Sequence, residues 1–409
     1  MTLKINTDRL LARLATVSRI GQYKTGIHRP TYSPADMEAR RWLVEEFRAF
    51  GHEAFIDGVG NVVGLGPAAA PRRLLAGSHI ESQNRAGRLD GVLGVLYGLE
   101  LAQTVAEAYG AGGPTVDVMA FADEEGHFHD YLGVRSALDD MTDGERAAVV
   151  NIDTGEPLHT ALENAGLSGL PRHRIDPSRY LGYLEAHIEQ GDYLDTGGLR
   201  LGYVLGIVGV WQYNIVFTGE QNHAGTTRMA TRKDAAMALM KFGAELDRVM
   251  GEAAGPRSVW TPGRIVTLPG APNVIPERAE MLFQFRDLET ERLEAMERAL
   301  MSLAERHDAR GPCAIAVENM SKAPPVPMAP AFIDALERAG ETIAPGAGMR
   351  MPSAAGHDAQ YMARVMPAGM LFVPSIGGVS HHWSEDTKDA DIALGFEVFA
   401  AAAADILSH

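Results

Sequence analysis

Val116-Asp117-Val118-Met119-Ala120-Phe121-Ala122-Asp123-Glu124-Glu125-Gly126 carries an apolar run straight into a block of adjacent acids. Val116 to Ala122 reads as a short buried strand, closed by charge and glycine. Neighbouring carboxylates repel, and a buried pair is costly unless a cation or a proton offsets it. The carboxyl end of a strand is where open α/β sheets place their sites. One acid that holds a metal beside one that works as a base would satisfy both facts, and the expected chemistry is metal-dependent hydrolysis.

Upstream of this strand, residues 7–20 have helical apolar spacing. Residues 34–50 form a second helix with Pro34 early and Gly51 just past its end. Glu53 to Ile56, Asn61 to Gly64 and Arg73 to Ser78 read as strands, and residues 90–108 as a helix entered through glycines. Strands alternating with helices predict an α/β sheet. The character changes near residue 209. Val210 to Thr218, Arg264 to Leu268, Ala279 to Asp287 and Cys313 to Met320 are predicted strands, and Thr231 to Met250 and Leu288 to His307 predicted helices. That order is βαββαβ, a ferredoxin-like unit. The Pro-rich run Ala323-Pro324-Pro325-Val326-Pro327 returns the chain to α/β character, which ends in an Ala-rich helix over Phe396 to Ile406. The expected fold is thus an α/β catalytic domain with a mixed sheet, residues 1–208 and 327–409. An α+β dimerisation or lid domain is inserted at 209–326.

Bulk properties set limits. At 409 residues two domains are expected, and a net charge of −16 argues against a nucleic-acid partner. A single cysteine, Cys313, excludes an intrachain disulfide and a cysteine-based zinc site. No apolar run approaches the length of a membrane span, and the N-terminus is polar at once, so no membrane association and a cytoplasmic location are expected.

Any metal must therefore sit on imidazoles and carboxylates, which accept zinc, manganese, cobalt or nickel. His79 and Asp90 lie upstream of the acid pair, His187 and His381 downstream. Two ions need a bridging carboxylate with further ligands on each side. Asp90 can bridge, with His79 and His187 completing one ion and Glu125 and His381 the other. Taken singly, each histidine has a plain structural reading as a packed core residue, and Asp90-Gly91 reads as a turn. Together, at predicted strand and loop ends, they converge on a site.

The chain resembles the dinuclear zinc amidohydrolase/peptidase family of aminoacylases and glutamate-type carboxypeptidases. Within it the resemblance is to the hydantoinase/carbamoylase branch of N-carbamoyl-amino-acid hydrolases, β-ureidopropionases and allantoate amidohydrolases. It rests on Gly77-Ser78-His79 through Asp90-Gly91, Asp123-Glu124-Glu125-Gly126 and Glu185-Ala186-His187-Ile188-Glu189-Gln190-Gly191. It continues through His223-Ala224-Gly225-Thr226-Thr227, Asn273-Val274-Ile275-Pro276, Gly356-His357-Asp358-Ala359 and Ser380-His381 with Glu385. The resemblance implies two divalent ions per subunit, zinc first, on His79, Asp90, Glu125, His187 and His381. Glu124 would be the general acid/base, and His223 and Asn273 would stabilise the oxyanion, His223 from a neighbouring subunit of a homodimer. Arg286, 13 residues after Asn273 as in the family, would clamp a substrate carboxylate; Gln190 would bind the substrate's polar end. The expected substrate is a small carboxylated ureido or amide compound. An aminoacylase or dipeptidase of the same family, and a catalytically silent binding protein, are the competing readings.

Four departures from the family pattern surround the expected pocket. Glu81 stands where Asp usually orients the first ligand histidine. His127-Phe128-His129-Asp130-Tyr131-Leu132-Gly133 replaces the usual segment after the acid pair, and its histidines read either as pocket groups or as solvated loop residues. Arg228 replaces the proline after Gly-Thr-Thr and is either a second anion contact or an exposed side chain. Asn84-Arg85-Ala86-Gly87 replaces a Gly-Gly turn.

Overall fold

The computed structural model describes residues 3–408, which divide into two compact units, one from residues 3–205 with 328–408, the other Gly206–Pro327. In chain order the principal elements begin with α1 (Thr7–Val17), α2 (Pro34–Ala49), β1 (Glu53–Ile56), β2 (Val62–Leu65) and β3 (Arg73–His79). They continue with α3 (Val92–Tyr109), β4 (Thr115–Phe121), β5 (Tyr183–Ile188) and β6 (Leu201–Ile207). The insert supplies β7 (Gly209–Thr218), α4 (Ala235–Ala253), β8 (Val259–Leu268), β9 (Arg278–Asp287), α5 (Thr290–Arg310) and β10 (Ala314–Ala323). The chain returns through α6 (Pro330–Ile343), β11 (Ala368–Val373) and α7 (Asp389–Ser408).

The larger sheet runs β6-β11-β5-β3-β4-β2-β1. Its centre, β11-β5-β3-β4, is parallel, and its flanks are antiparallel. Every residue of these four central strands is buried, as expected where helices cover both faces of a parallel sheet. α3 lies close because Gly94 leaves no side chain in the way: a Cβ there would come within 2.3 Å of the Ala186 carbonyl oxygen and 2.8 Å of Ser78 Cβ. Sheet order and direction bring the ends of β3, β4, β5 and β11 to one edge.

The smaller unit has sheet order β8-β9-β7-β10, all neighbours antiparallel, which is the ferredoxin-like arrangement of a βαββαβ chain. β9 alternates strictly: Met281, Phe283 and Phe285 are buried, and Leu282, Gln284 and Arg286 half-buried. The buried set packs with Tyr213, Ile215 and Phe217 of β7 and with Phe242, Leu293 and Leu300 of the helices. Tyr213 and Phe285 stack at 5.7 Å.

Several element limits differ from the sequence reading. β8 begins five residues before the expected Arg264, because this edge strand buries none of its residues and gives no alternation to read. α7 begins seven residues before the expected Phe396, its first turn carrying Asp389 and Asp391 ahead of the Ala-rich run. α1 stops at Val17, where Ser18 caps it, short of the expected residue 20. Three short helices, Leu132–Ala137, Asp143–Ala148 and Leu158–Asn164, are too brief to have an apolar period. No described helix is long and apolar enough to cross a membrane.

Candidate metal centre

The site grows from four strand ends. His79 is the last residue of β3. Asp123, at φ +59°, turns the chain sharply after β4 and places Glu124 and Glu125. His187 is the penultimate residue of β5, and the loop after β11 carries Ser380 and His381. Asp90 sits at the entry to α3 and reaches all three imidazoles. Its Oδ1 lies 3.4 Å from His79 Nε2 and 3.1 Å from His187 Nε2; its Oδ2 lies 3.4 Å from His381 Nε2. Glu125 Oε2 is 3.6 Å from that same His381 nitrogen. Two groups result, His79-Asp90-His187 and Asp90-Glu125-His381, in each of which the donor atoms lie within 4.8 Å of one another. They share Asp90, one oxygen to each side.

The outer hydrogen bonds suit metal binding. His79 Nδ1–H donates to the Glu81 carbonyl oxygen at 3.2 Å and His187 Nδ1–H to the Ile188 carbonyl oxygen at 2.9 Å. A carbonyl can only accept, so both rings carry a proton on Nδ1 and turn Nε2 toward the centre, where the Gly91 N–H also approaches His187 Nε2 at 3.1 Å. Asp90 is held by neighbours: Glu385 Oε1 accepts the N–H groups of Leu89 and Asp90, and Ser380 Oγ lies 3.2 Å from both Asp90 Oδ2 and Glu385 Oε2. Gln83 donates its backbone N–H and its Nε2 to the Glu125 carboxylate. Neither Gln83 nor Glu385 had an assigned role in the sequence reading. Glu385 is marked in the sequence only as part of the Ser380-His381 segment on which the resemblance rests, and Gln83 has no signal.

The electrostatics suit a cation here. Burial pushes the Glu124 carboxyl well above the usual carboxylate range, with Glu125, Asp358 and Asp90 adding to it against the pull of His79. Burial also raises Glu385, to about 7. His381 is raised to about 9 by its hydrogen bond with Asp90. Asp358 is wholly buried, and neither of its carboxylate oxygens has a protein partner. Without a metal, protons must hold these carboxyls; divalent cations would replace them. The donor set, the tautomers and the surplus of buried acid all fit divalent metal ions on His79, Asp90, Glu125, His187 and His381. Glu124 stands apart from both groups with Oε2 3.6 Å from His79 Nε2, its backbone N–H donating to Glu81 Oε1 at 2.8 Å.

Two departures take on physical meaning. The Glu81 carboxylate does not hold His79, for its Oε1 is 3.9 Å from Nδ1; the longer side chain instead joins Glu124 N–H to Arg40, whose Nη2 donates to Oε2 at 2.7 Å. His127 is not a solvated loop residue: it is 3% exposed and bonded through Nδ1 to Thr31. His129 is half-buried against Arg135. Gln190 donates through Nε2 to Asp90 Oδ2 at 2.9 Å, while its Oε1 is buried and unpaired.

The remaining candidates belong to the smaller unit. Asn222–His223 pairs antiparallel with Val274–Ile275, and Ala224 N–H donates to the Asn273 carbonyl oxygen at 3.0 Å, so His223 and Asn273, 50 positions apart, become neighbours on an exposed ribbon. Arg286 is half-buried and contacts Gln284 Oε1. Arg228 is exposed.

Residues 70–405 match the profile of peptidase family M20/M25/M40. The chain is 31% identical to an N-carbamoyl-L-amino-acid amidohydrolase of Pseudomonas sp. (strain NS671), with 97% of each chain covered. It is 32% identical to the allantoate amidohydrolase of Bacillus subtilis, with 90% of each covered. A crystal structure of an amidase of the hydantoinase/carbamoylase family from Burkholderia phymatum superposes with a TM-score of 0.92 at 41% identity, covering 100% of this chain and 99% of that one.

Proposed function

The chain belongs to peptidase family M20/M25/M40, in its hydantoinase/carbamoylase branch, and on that premise we propose that it hydrolyses the linear ureido or amide C–N bond of a small carboxylated compound with the help of two divalent ions. Relatives named as N-carbamoyl-amino-acid and allantoate amidohydrolases support a C–N amidohydrolase. The observation that carries the reading is the division of Asp90: its two oxygens face two separate imidazole-containing donor sets. His79 and His187 would hold one ion, Glu125 and His381 the other, with zinc the first choice and manganese, cobalt or nickel compatible with the same donors. Bound ions would acidify water and polarise the scissile carbonyl.

Glu124 is assigned the proton transfers. It stands beside the ligand set without belonging to it, and its backbone is fixed by Glu81 and, through Glu81, by Arg40. Its carboxylate takes a proton from the attacking water and returns it to the leaving nitrogen, as a general base and then acid. For a ureido substrate the products are an amine, ammonia and carbon dioxide. His223 and Asn273 are assigned to the developing oxyanion, where each lost donor typically costs about 10²–10³ in rate. Arg286 is assigned to the substrate carboxylate, Gln190 to its polar end through the unpaired Oε1, and Arg228 to a second anionic group. A homodimer is part of the proposal, as is a cytoplasmic location. The edge strand β8 leaves a long row of exposed backbone, with Ile265 52% exposed, which suits pairing with a second copy.

The test is Glu124→Gln in the metal-loaded enzyme, assayed on N-carbamoyl, N-acetyl and dipeptide substrates side by side. Ureido turnover should collapse while metal content stays near that of the parent. Turnover that survives the substitution sinks the mechanism, and preferential cleavage of the acetyl or dipeptide substrates sinks the assignment of bond type.

A further inference from the structure

Residue 81 touches the site twice, once through its backbone and once through its side chain. Its carbonyl oxygen accepts His79 Nδ1–H at 3.2 Å. Its carboxylate accepts the Glu124 backbone N–H on Oε1 at 2.8 Å and Arg40 Nη2–H on Oε2 at 2.7 Å. The carboxylate and the imidazole are not bonded, for Oε1 stands 3.9 Å from Nδ1, and the one proton there already points at the carbonyl.

The two contacts are anchored by different parts of the molecule. The backbone on either side of residue 81 is pinned by Arg29, which is fully buried. Arg29 Nε–H donates to the Ile80 carbonyl oxygen at 2.8 Å and its backbone N–H to Ser82 Oγ at 3.2 Å, while its carbonyl oxygen accepts the Ser82 N–H at 3.0 Å. The carboxylate is anchored to α2 instead. Arg40 donates through Nε to Asp36 Oδ2 at 2.9 Å and through Nη1 to the Gly60 carbonyl oxygen at 2.7 Å. Asp36 Oδ2 also accepts the Tyr32 N–H at 2.8 Å. Asp36, Arg40 and Glu81 are all 0% exposed, so these bonds act in a low-dielectric interior, where they are stronger than in water.

Resting on the hydrolytic reading, we propose that these contacts give residue 81 two separable duties: its carbonyl orients the metal ligand His79, and its carboxylate is the positioning group that ties the general base Glu124, through Arg40, to α2. Side-chain length matters to the second duty alone. Aspartate is one carbon–carbon bond, about 1.5 Å, shorter, and would leave the 2.7 and 2.8 Å contacts at roughly 4 Å, past hydrogen-bond range. Glutamine keeps the length but brings a single oxygen to two donors, so one of them faces an NH2 group. Both substitutions leave the carbonyl and its Arg29 anchors in place.

Zinc affinity of Glu81→Asp and Glu81→Gln is measured by competition with a chromophoric chelator, without turnover. kcat and KM per bound zinc are measured on whichever N-carbamoyl, N-acetyl or dipeptide substrate the parent cleaves fastest. Zinc affinity should stay near the parent's, instead of falling about 10–100-fold as it does when a ligand loses its outer partner. kcat should fall by about tenfold or more in Glu81→Asp, since a misplacement of about 1 Å can cost about 10² in rate. It should fall by less in Glu81→Gln, with KM near the parent's in both. A purely structural role would lower the unfolding midpoint and leave kcat per bound zinc alone. In the Glu124→Gln background Glu81→Asp should not lower the residual rate further, because the group it places is gone. Glu81→Gln carries the test by itself if the shorter side chain prevents folding. Parent-like kcat per bound zinc, a fall in zinc affinity at unchanged kcat, or losses that multiply in the double variant overturn the inference. A parent that cleaves none of these substrates sinks the hydrolytic reading and this proposal with it; a cleaving parent with unaltered variants sinks this proposal alone.

Discussion

Gly91→Ala tests the construction of the metal centre through a residue that ligates nothing. Gly91 opens α3 at φ +66°, and a Cβ there would lie 2.3 Å from His79 Cε1 and 2.4 Å from each ring nitrogen. Carbon contacts settle near 3.5–4.0 Å, so the imidazole must move by about 1 Å or more. His79 is 1% exposed, so the ring moves only by displacing its neighbours or its own contacts. The shift must break either the Nδ1 bond to the Glu81 carbonyl or the approach of Nε2 to Asp90. Losing an outer partner of a ligand typically costs about 10–100-fold in metal affinity, and a misplacement of about 1 Å can cost about 10² in rate. Alanine at positive φ adds about 1–2 kcal/mol of backbone strain, which must be separated from the ring effect. Gly51→Ala does this: φ is +87°, and nothing lies within 4 Å of its Cβ. Metal content by mass spectrometry, urea unfolding and ureido turnover are measured on both variants. Gly51→Ala should lose stability alone; Gly91→Ala should also lose bound metal and at least about 10²-fold in kcat/KM. Parent-like metal content and turnover in Gly91→Ala would refute the reasoning.

Further outcomes follow from the same geometry. Arg40→Met strands the buried carboxylates of Asp36 and Glu81, each of which accepts from the guanidinium, and should cost about 3–5 kcal/mol in urea unfolding. Chelation should destabilise the enzyme by about 3 kcal/mol relative to metal at a hundred times its dissociation constant, read as a lower unfolding midpoint that added zinc or manganese restores. In the metal-free enzyme Glu385 is raised by burial from 4.5 to about 7, so the folded state keeps a proton that the unfolded chain has released. Stability from this group is present below pH 4.5 and is lost as pH rises through about 7; Glu385→Gln should flatten that part of the pH profile of unfolding. Ile265→Lys with Leu268→Lys puts charge on the exposed edge strand, and light scattering should then give a mass near 44.0 kDa in place of twice that.

The acid block was legible because the apolar run before it ends abruptly in charge, and the structure puts Glu124 and Glu125 at the end of β4 as expected. The βαββαβ order was legible because β9 alternates residue by residue and α5 carries Leu293, Met296, Leu300 and Leu303 on one face. The segment 132–164 was not, since helices of six or seven residues contain too few turns to show a period. Nor was the effect of Glu81: the residue type suggested a changed grip on His79, but the side chain's extra reach takes it to Arg40 and to Glu124 N–H, while the backbone carbonyl holds the imidazole.

The sequence by itself determined the kinds of donor available, imidazoles and carboxylates with one cysteine, and placed them after predicted strands, because residue type and local periodicity are properties of neighbouring positions. Only the tertiary structure decided which oxygen of Asp90 faces which histidine, which nitrogen each imidazole presents, and that His127 is buried against Thr31 while Asn273 lies beside His223. Those facts depend on strand order and loop closure between residues dozens to hundreds of positions apart, and no spacing along the chain encodes them.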